Sequence, residues 1–213
     1  MIGPQGSGKG TQSDLLGLKF RIPRIGLGSL FRAEIAKASE LGSQVQEYMD
    51  RGDIVPSELS DKVMAERLSK QDAINGAILD AYPRTLEQAD ALDNNFQSLN
   101  REITDVVYLR VSDEEAIRRL SGRRVCSNSA CERNYHIQFD PPHGNPELCD
   151  KCGAKVIQRA DDTPDAIKHR LSVYHMDTVP LIALYQGLGL LREVDGEKPI
   201  SEVQASILKA MGL

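Results

Sequence analysis

Three groups of residues in this chain are of types that do chemistry. The first is the run Gly3-Pro4-Gln5-Gly6-Ser7-Gly8-Lys9-Gly10-Thr11. Gly3, Gly8 and Lys9 stand at the spacing G-x-x-x-x-G-K. Glycines there let successive backbone N–H groups converge on one anion, and the lysine reaches the outer phosphates of a nucleotide. The general pattern sets a hydroxyl directly after the lysine to face Mg²⁺; here Gly10 intervenes and Thr11 follows. The second is Asp80, which ends the apolar run Ala77-Ile78-Leu79 and precedes Tyr82-Pro83-Arg84-Thr85. A carboxylate there either holds waters on a Mg²⁺ bridging phosphates or is a cap or surface acid, and its pairing with a phosphate loop favours the first reading.

The third group is the four cysteines, Cys126-x4-Cys131 and Cys149-x2-Cys152, with 17 residues between the pairs. Two close pairs at that separation read as a structural zinc site, against the alternatives of free thiols or two disulfides. Four thiolates close the coordination sphere, so the metal would be structural rather than catalytic, and His136 and His143 are not needed as ligands. The intervening Tyr135, Phe139 and Pro141-Pro142 suit a small β-rich unit that depends on the metal for its stability.

The bulk composition bounds the rest. The 213 residues suffice for one or two globular domains with a real core, and the net charge is −5. Sixteen arginines against ten lysines in an acidic chain point to phosphates gripped locally rather than to a basic surface. The acidic balance, with no interleaving of basic and aromatic residues, tells against a nucleic-acid binder. No apolar run is long enough to span a membrane, and Met1-Ile2-Gly3-Pro4 is no signal peptide, so a cytoplasmic protein is expected.

These residues need elements to hold them. Thr11 to Phe20 reads as the helix whose positive end completes the anion site. A brief strand is expected over Arg21–Ile25, helices over Ser29–Lys37, Gln44–Met49 and from Pro56, and a buried strand over Ala77–Asp80. Val106 to Leu109 lies in the clearest strand, and Ser112 with Glu115 forms a capping box for the next helix. Thr163-Pro164-Asp165 opens the longest helix, with Ile167, Leu171, Tyr174 and Leu181 on one face; Leu190–Val194 and Ser201–Met211 close the chain as strand and helix. The alternation predicts an α/β, three-layer, doubly wound parallel sheet, with ligands at the carboxyl ends of its strands, where Gly3–Lys9 and Asp80 fall. Only two residues precede Gly3, so the first strand is expected to be truncated, its remainder lying upstream of Met1.

Taken together, Gly3-x4-Gly8-Lys9-Gly10-Thr11-Gln12, Leu30-Phe31-Arg32, Asp80-x2-Pro83-Arg84-Thr85, Gln88-Ala89-Asp90, Gly122-Arg123-Arg124 and Tyr174-His175 resemble the adenylate kinases nearly end to end, and the cysteines resemble their long, metal-containing lids. The resemblance implies a P-loop core of about five strands (residues 1–25, 56–121 and 163–213). It also implies two mobile inserts, a monophosphate-binding one at 26–55 and a zinc-binding lid at 122–162. It further implies a monomer that moves a phosphoryl group between ATP and AMP, giving ADP, with Mg²⁺. Carried over residue by residue, Gly3, Gly6, Ser7, Gly8, Lys9, Gly10, Thr11, Arg119, Arg123 and Lys198 would serve ATP. Leu27, Arg32, Met49, Val55, Arg84, Gln88, Arg159 and Arg170 would serve AMP. Lys9, Arg84, Arg123, Arg159 and Arg170 would act on the transferring group, with Thr11 and Asp80 near Mg²⁺ and Asp161-Asp162 near the lid hinge. Leu27, Ser29 and Ala81 depart from the family's threonine, aspartate and glycine. They cluster on the monophosphate side, so they bear on which base is accepted rather than on the reaction. The rival readings are a kinase for another nucleoside monophosphate and a weakly catalytic nucleotide sensor.

Overall fold

The computed structural model describes residues 1–128, 131 and 133–213. Helix α1 spans Lys9–Phe20 and starts two residues earlier than the apolar pattern implies. Gly8, with φ 92°, turns the loop straight into the helix, so Lys9 itself sits on the first turn. Strand β1 is Arg24–Gly26, followed at once by α2 (Leu27–Ala36) and α3 (Glu40–Arg51). α3 is longer than expected because Ser39 caps it, its Oγ accepting from the Gly42 N–H at 3.0 Å. Helix α4 (Ser57–Leu68) leads to β2 (Ile78–Asp80).

Helix α5 (Leu86–Ser98) was not among the expected elements. Thr85 caps it by accepting from the Gln88 N–H at 3.1 Å, and Ala89, Leu92 and Phe96 are its buried apolar positions. Strand β3 (Val106–Arg110) and helix α6 (Asp113–Ser121) follow. The capping box there is only half formed. Ser112 Oγ accepts from Glu115 N, but the Glu115 carboxylate turns to Arg118 and Arg119, and Glu197 takes the Ser112 N–H at 2.8 Å instead.

Strands β4 (Arg123–Cys126), β5 (Asn134–His136) and β6 (Val156–Ile157) form an antiparallel sheet in the order β5-β4-β6. The expected longest helix is divided into α7 (Pro164–Val173), one π-type turn (Tyr174–Thr178) and α8 (Pro180–Gly187). Pro180 has no N–H to give the turn before it, so the regular ladder loosens there. Ile167, Leu171, Tyr174 and Leu181 are all buried. Strand β7 (Leu191–Asp195) and helix α9 (Ile200–Ala210) complete the order.

The fold is α/β with mixed sheets, and the expected single sheet appears as two parallel pairs. β1 pairs with β2, setting Gly26 opposite Asp80, and β3 pairs with β7. Met1 and Ile2 are too short for a strand, yet they touch both pairs. The Met1 amine donates to Leu79 O at 2.9 Å, Ile2 N donates to Val107 O at 2.8 Å, and Leu109 N donates to Ile2 O at 2.9 Å. Alternation along β3 sends Val107 and Leu109 into a core with Leu16 of α1 and Ile207 of α9. Val106 instead meets Ala89 of α5 and Leu181 and Tyr185 of α8. Helices therefore cover both faces of this pair, and the loop after Ile2 and the end of β2 open on a common rim.

Candidate active site

The loop from Gly3 to Gly8 is shaped by close approach. A Cβ on Gly6 would lie 2.9 Å from the carbonyl oxygen of Ala116, so only glycine fits against α6. Lys9 bends back over the loop. Its Nζ donates to the carbonyls of Gly3 and Pro4, both at 2.7 Å, and to Ser7 Oγ at 3.3 Å. Burial pushes the Lys9 ammonium down to about 8; Asp80 opposes the shift, while Arg84, Arg170 and Arg123 add to it. Those same four side chains are thus the electrostatic surroundings of Lys9.

The arginines form a second tier. Arg84, four residues past the end of β2, gives Nε to Ala81 O at 3.0 Å, and burial pushes its guanidinium down. Arg159 is clamped by Asp161 at 2.8 and 2.6 Å, and Arg123 by Asp162 at 2.8 Å through Nε. Arg170 of α7 reaches the Asp161 carbonyl at 2.9 Å and its carboxylate at 3.0 Å, and burial brings it down to about 10. Burial pushes the Asp161 carboxyl up, but Arg159, Arg170 and Arg123 outweigh it and hold it below its usual value. The buried Asp162 and half-buried Asp161 thus keep three guanidiniums in place next to the phosphate loop, within reach of any group that can outbid them for charge.

Beside this tier lies a cleft lined by Leu27, Phe31, Met49, Val55, Arg84 and Gln88. Gln88 is fully buried, and its Oε1 accepts from the Arg84 N–H at 2.8 Å. Its Nε2 has no partner among the described residues. A buried donor without an acceptor, at the edge of an apolar slot, is a ready contact for a heterocycle.

Comparison with known proteins decides the family. The adenylate kinase family model matches residues 1–190. An adenylate kinase of Lachnospira eligens is 44% identical over 212 residues, covering all of this chain and 98% of the relative. Those of Caldicellulosiruptor bescii and a Geobacillus species are 41% and 42% identical, again over all of this chain and 98% and 97% of theirs. The chain belongs to the adenylate kinase family.

Within this adenylate kinase fold the residues carried over by resemblance fall into groups. Lys9, Asp80, Arg84, Arg123 and Arg170 share one electrostatic neighbourhood, with Arg159 coupled to Arg123. Leu27, Met49, Val55, Arg84 and Gln88 share the cleft. Arg32 is on α2, its Nη2 donating to Ser29 Oγ at 3.3 Å. Arg119 reaches Glu115 at 2.6 Å and the carbonyl of Gly196 at 2.9 Å, close in sequence to the exposed Lys198. Gly10 is half-buried and Thr11 exposed on the first turn of α1, while Asp80 is buried.

The four cysteines converge. Their sulfurs all lie within 4.8 Å of one another, with Cys126–Cys152 at 3.4 Å and Cys131–Cys149 at 3.7 Å. Thiolates at the corners of a tetrahedron around zinc, with Zn–S about 2.3 Å, stand about 3.8 Å apart, so the cage fits one such ion. The Tyr135 hydroxyl lies 3.2 Å from Cys149 Sγ and steadies that ligand. His136 is turned elsewhere, its Nδ1 accepting from the Gln138 and Phe139 N–H groups.

Sequence reasoning passed over Phe31 of the cleft and Arg24, which pairs with Asp80 at 2.7 Å. Phe31 carried a signal in the motif Leu30-Phe31-Arg32, whereas Arg24 lay in a segment too short to give any period.

Proposed function

We propose that this chain catalyses reversible, Mg²⁺-dependent phosphoryl transfer, ATP + AMP = 2 ADP. The observation that carries the reading is the convergence of Lys9, Asp80 and four arginines beside a cleft that ends in the free donor of Gln88. The acceptor is a phosphate oxygen of the monophosphate, largely ionised at neutral pH because its second pKa is near 6, so no general base is required. Catalysis is then positioning and charge stabilisation.

Lys9 and the loop amides hold the β- and γ-phosphates of ATP. Arg84 and Arg170, with Arg32, hold the monophosphate, and Arg123 and Arg159 neutralise the transferring group once it displaces them from Asp162 and Asp161. The buried carboxylate of Asp80 suits an ion that keeps its own waters, with Thr11 near it. Asp80 and Thr11 are the residues that would hold Mg²⁺ entering with ATP, and the ion would supply charge neutralisation there. Gln88 reads the base with Nε2, and Leu27, Met49 and Val55 sandwich it. Arg119 and Lys198 flank the ATP base.

The segments 26–55 and 122–162 move as inserts on a core of 1–25, 56–121 and 163–213. In that core β1, β2, Met1-Ile2, β3 and β7 act as one five-stranded parallel layer. The hydrogen bonds of Met1 and Ile2 to both pairs support this. Closure excludes water, the competing acceptor. Zinc at the four cysteines stiffens the lid without joining the chemistry. A cytoplasmic monomer handling free nucleotides, with no nucleic-acid partner, fits the acidic charge, and no described helix is long and apolar enough to cross a membrane.

The test is phosphoryl transfer from Mg-ATP to AMP, GMP, CMP and UMP in parallel. Preference for AMP by a large factor is expected. Preference for another base would move the substrate assignment, and ATP binding without transfer to any of them would leave a sensor.

A further inference from the structure

Arg24 opens β1, and its guanidinium crosses from that strand to two carboxylates. Nη2 and Nε donate to one and the same oxygen of Asp80, Oδ2, at 2.7 and 3.0 Å. Nη1 reaches Asp14 on α1 at 3.2 and 3.3 Å. The Arg24 and Asp80 side chains are 15% and 10% exposed, whereas Asp14 is 58% exposed. The guanidinium lies against the first turn of α1, where a Cβ on Gly10 would come within 2.9 Å of Nη2 and 3.5 Å of Asp80 Oδ2. Gly10, directly after the loop lysine, is therefore the gap that lets this pair reach the rim of the phosphate loop.

A carboxylate that shares its charge with a guanidinium in a desolvated place draws a second cation less strongly. Oδ2, which accepts both of those hydrogen bonds, is also committed, while Oδ1 accepts none from the described residues and remains for a hydrated ion. We propose that Arg24 is a positioning residue of the Mg²⁺–nucleotide site, fixing Asp80 through Oδ2 and weakening that carboxylate's hold on the cation. The site then takes Mg²⁺ together with a nucleotide, whose phosphates restore the negative charge, rather than trapping the free ion. Asp14 competes for the same guanidinium, so loss of its charge drives Arg24 further onto Asp80. The proposal rests on the assignment of Asp80 to the metal made above.

The experiment is calorimetric titration of ATP into the full chain, with Mg²⁺ and with EDTA, the ratio of the two dissociation constants giving the gain due to the metal. Arg24→Gln should raise that gain about tenfold, because Asp80 regains its full charge. Asp14→Asn should lower it by up to about threefold, the modest effect of an exposed partner. Asp80→Asn separates the two levels of argument. An unchanged gain in Asp80→Asn overturns the assignment of Asp80 and the proposal with it. A gain lost in Asp80→Asn but moved less than twofold, or in the same direction, by the other two variants overturns the role of Arg24 alone. If Arg24→Gln does not fold, the exposed Asp14→Asn decides: a gain that fails to fall overturns the proposal. A merely structural Arg24 would not give opposite signs at Arg24 and Asp14.

Discussion

The backbone N–H of Arg84 donates to Oε1 of Gln88 at 2.8 Å, and this single bond fixes which end of a buried amide faces the cleft. Nε2 is left as a donor without a partner among the described residues. Gln88→Leu should therefore raise the KM for AMP by about tenfold or more, the cost of a lost buried hydrogen bond, and leave the KM for ATP within about twofold. Equal effects on both substrates would remove Gln88 from base recognition.

Lys9 gives a pH dependence. Burial brings its ammonium down to about 8 in the free protein, and phosphates bind the charged form, so the complex holds its proton to higher pH. ATP affinity should be flat below pH 8 and fall above it by up to about tenfold per pH unit. Lys9→Met should abolish the slope. A flat profile to pH 9.5 in the unmodified protein would count against this role.

Ala81 stands in the left-handed region at φ 58°, where a Cβ crowds the following carbonyl. Ala81→Gly relieves that strain but loosens the unfolded chain, leaving a net gain of about 0.5–1 kcal/mol and a rise in Tm of about 2 °C. Thermal unfolding measures it. If the monophosphate base lies against this backbone, the KM for AMP should fall in the same variant.

Removal of the metal should act on stability first. The core of the small sheet is Tyr135 and three of the cysteines, too little to hold three short strands by burial alone. Chelation with verified metal loss should lower Tm by about 10 °C, and Cys149→Ser should do the same without a chelator. Unchanged unfolding after metal loss would refute a structural role.

Asp53 and His169 tie the segment after α3 to α7 at 2.7 Å. Arg51 and then His169 hold the Asp53 carboxyl below its usual value, so the tie is intact above the ordinary carboxylate range and is lost as pH falls through that lowered pKa. Asp53→Asn should raise the KM for AMP at neutral pH, by at most about fivefold because the pair is exposed, with kcat unchanged. Steady-state kinetics on both substrates would settle it.

What could be read in the sequence were features that write themselves locally. Gly8-Lys9, Asp80 at a strand end and the paired cysteines each announce their chemistry through spacing, and the structure brings each set together. Helix α5 escaped the apolar pattern because its polar face, Asp90, Asp93, Asn94 and Asn95, dilutes a narrow buried stripe. Arg24 escaped because its meaning depends on a partner 56 residues away, which only the parallel register of β1 and β2 brings near. Glu197, which replaces Glu115 at the N-cap of α6, lies 85 residues from Ser112 and was hidden for the same reason.

The pair Arg123–Asp162 joins the first residue of β4 to a residue just before α7, closing the cysteine-bearing segment at its neck. Further ties run beside it, from Arg170 to Asp161, from the Ile137 N–H to the Gly122 carbonyl and from Arg118 over the Phe139 ring. The cysteine cage lies in sequence between Arg123 and Arg159, so a metal held there and the release of those two guanidiniums from Asp162 and Asp161 belong to one stretch of chain.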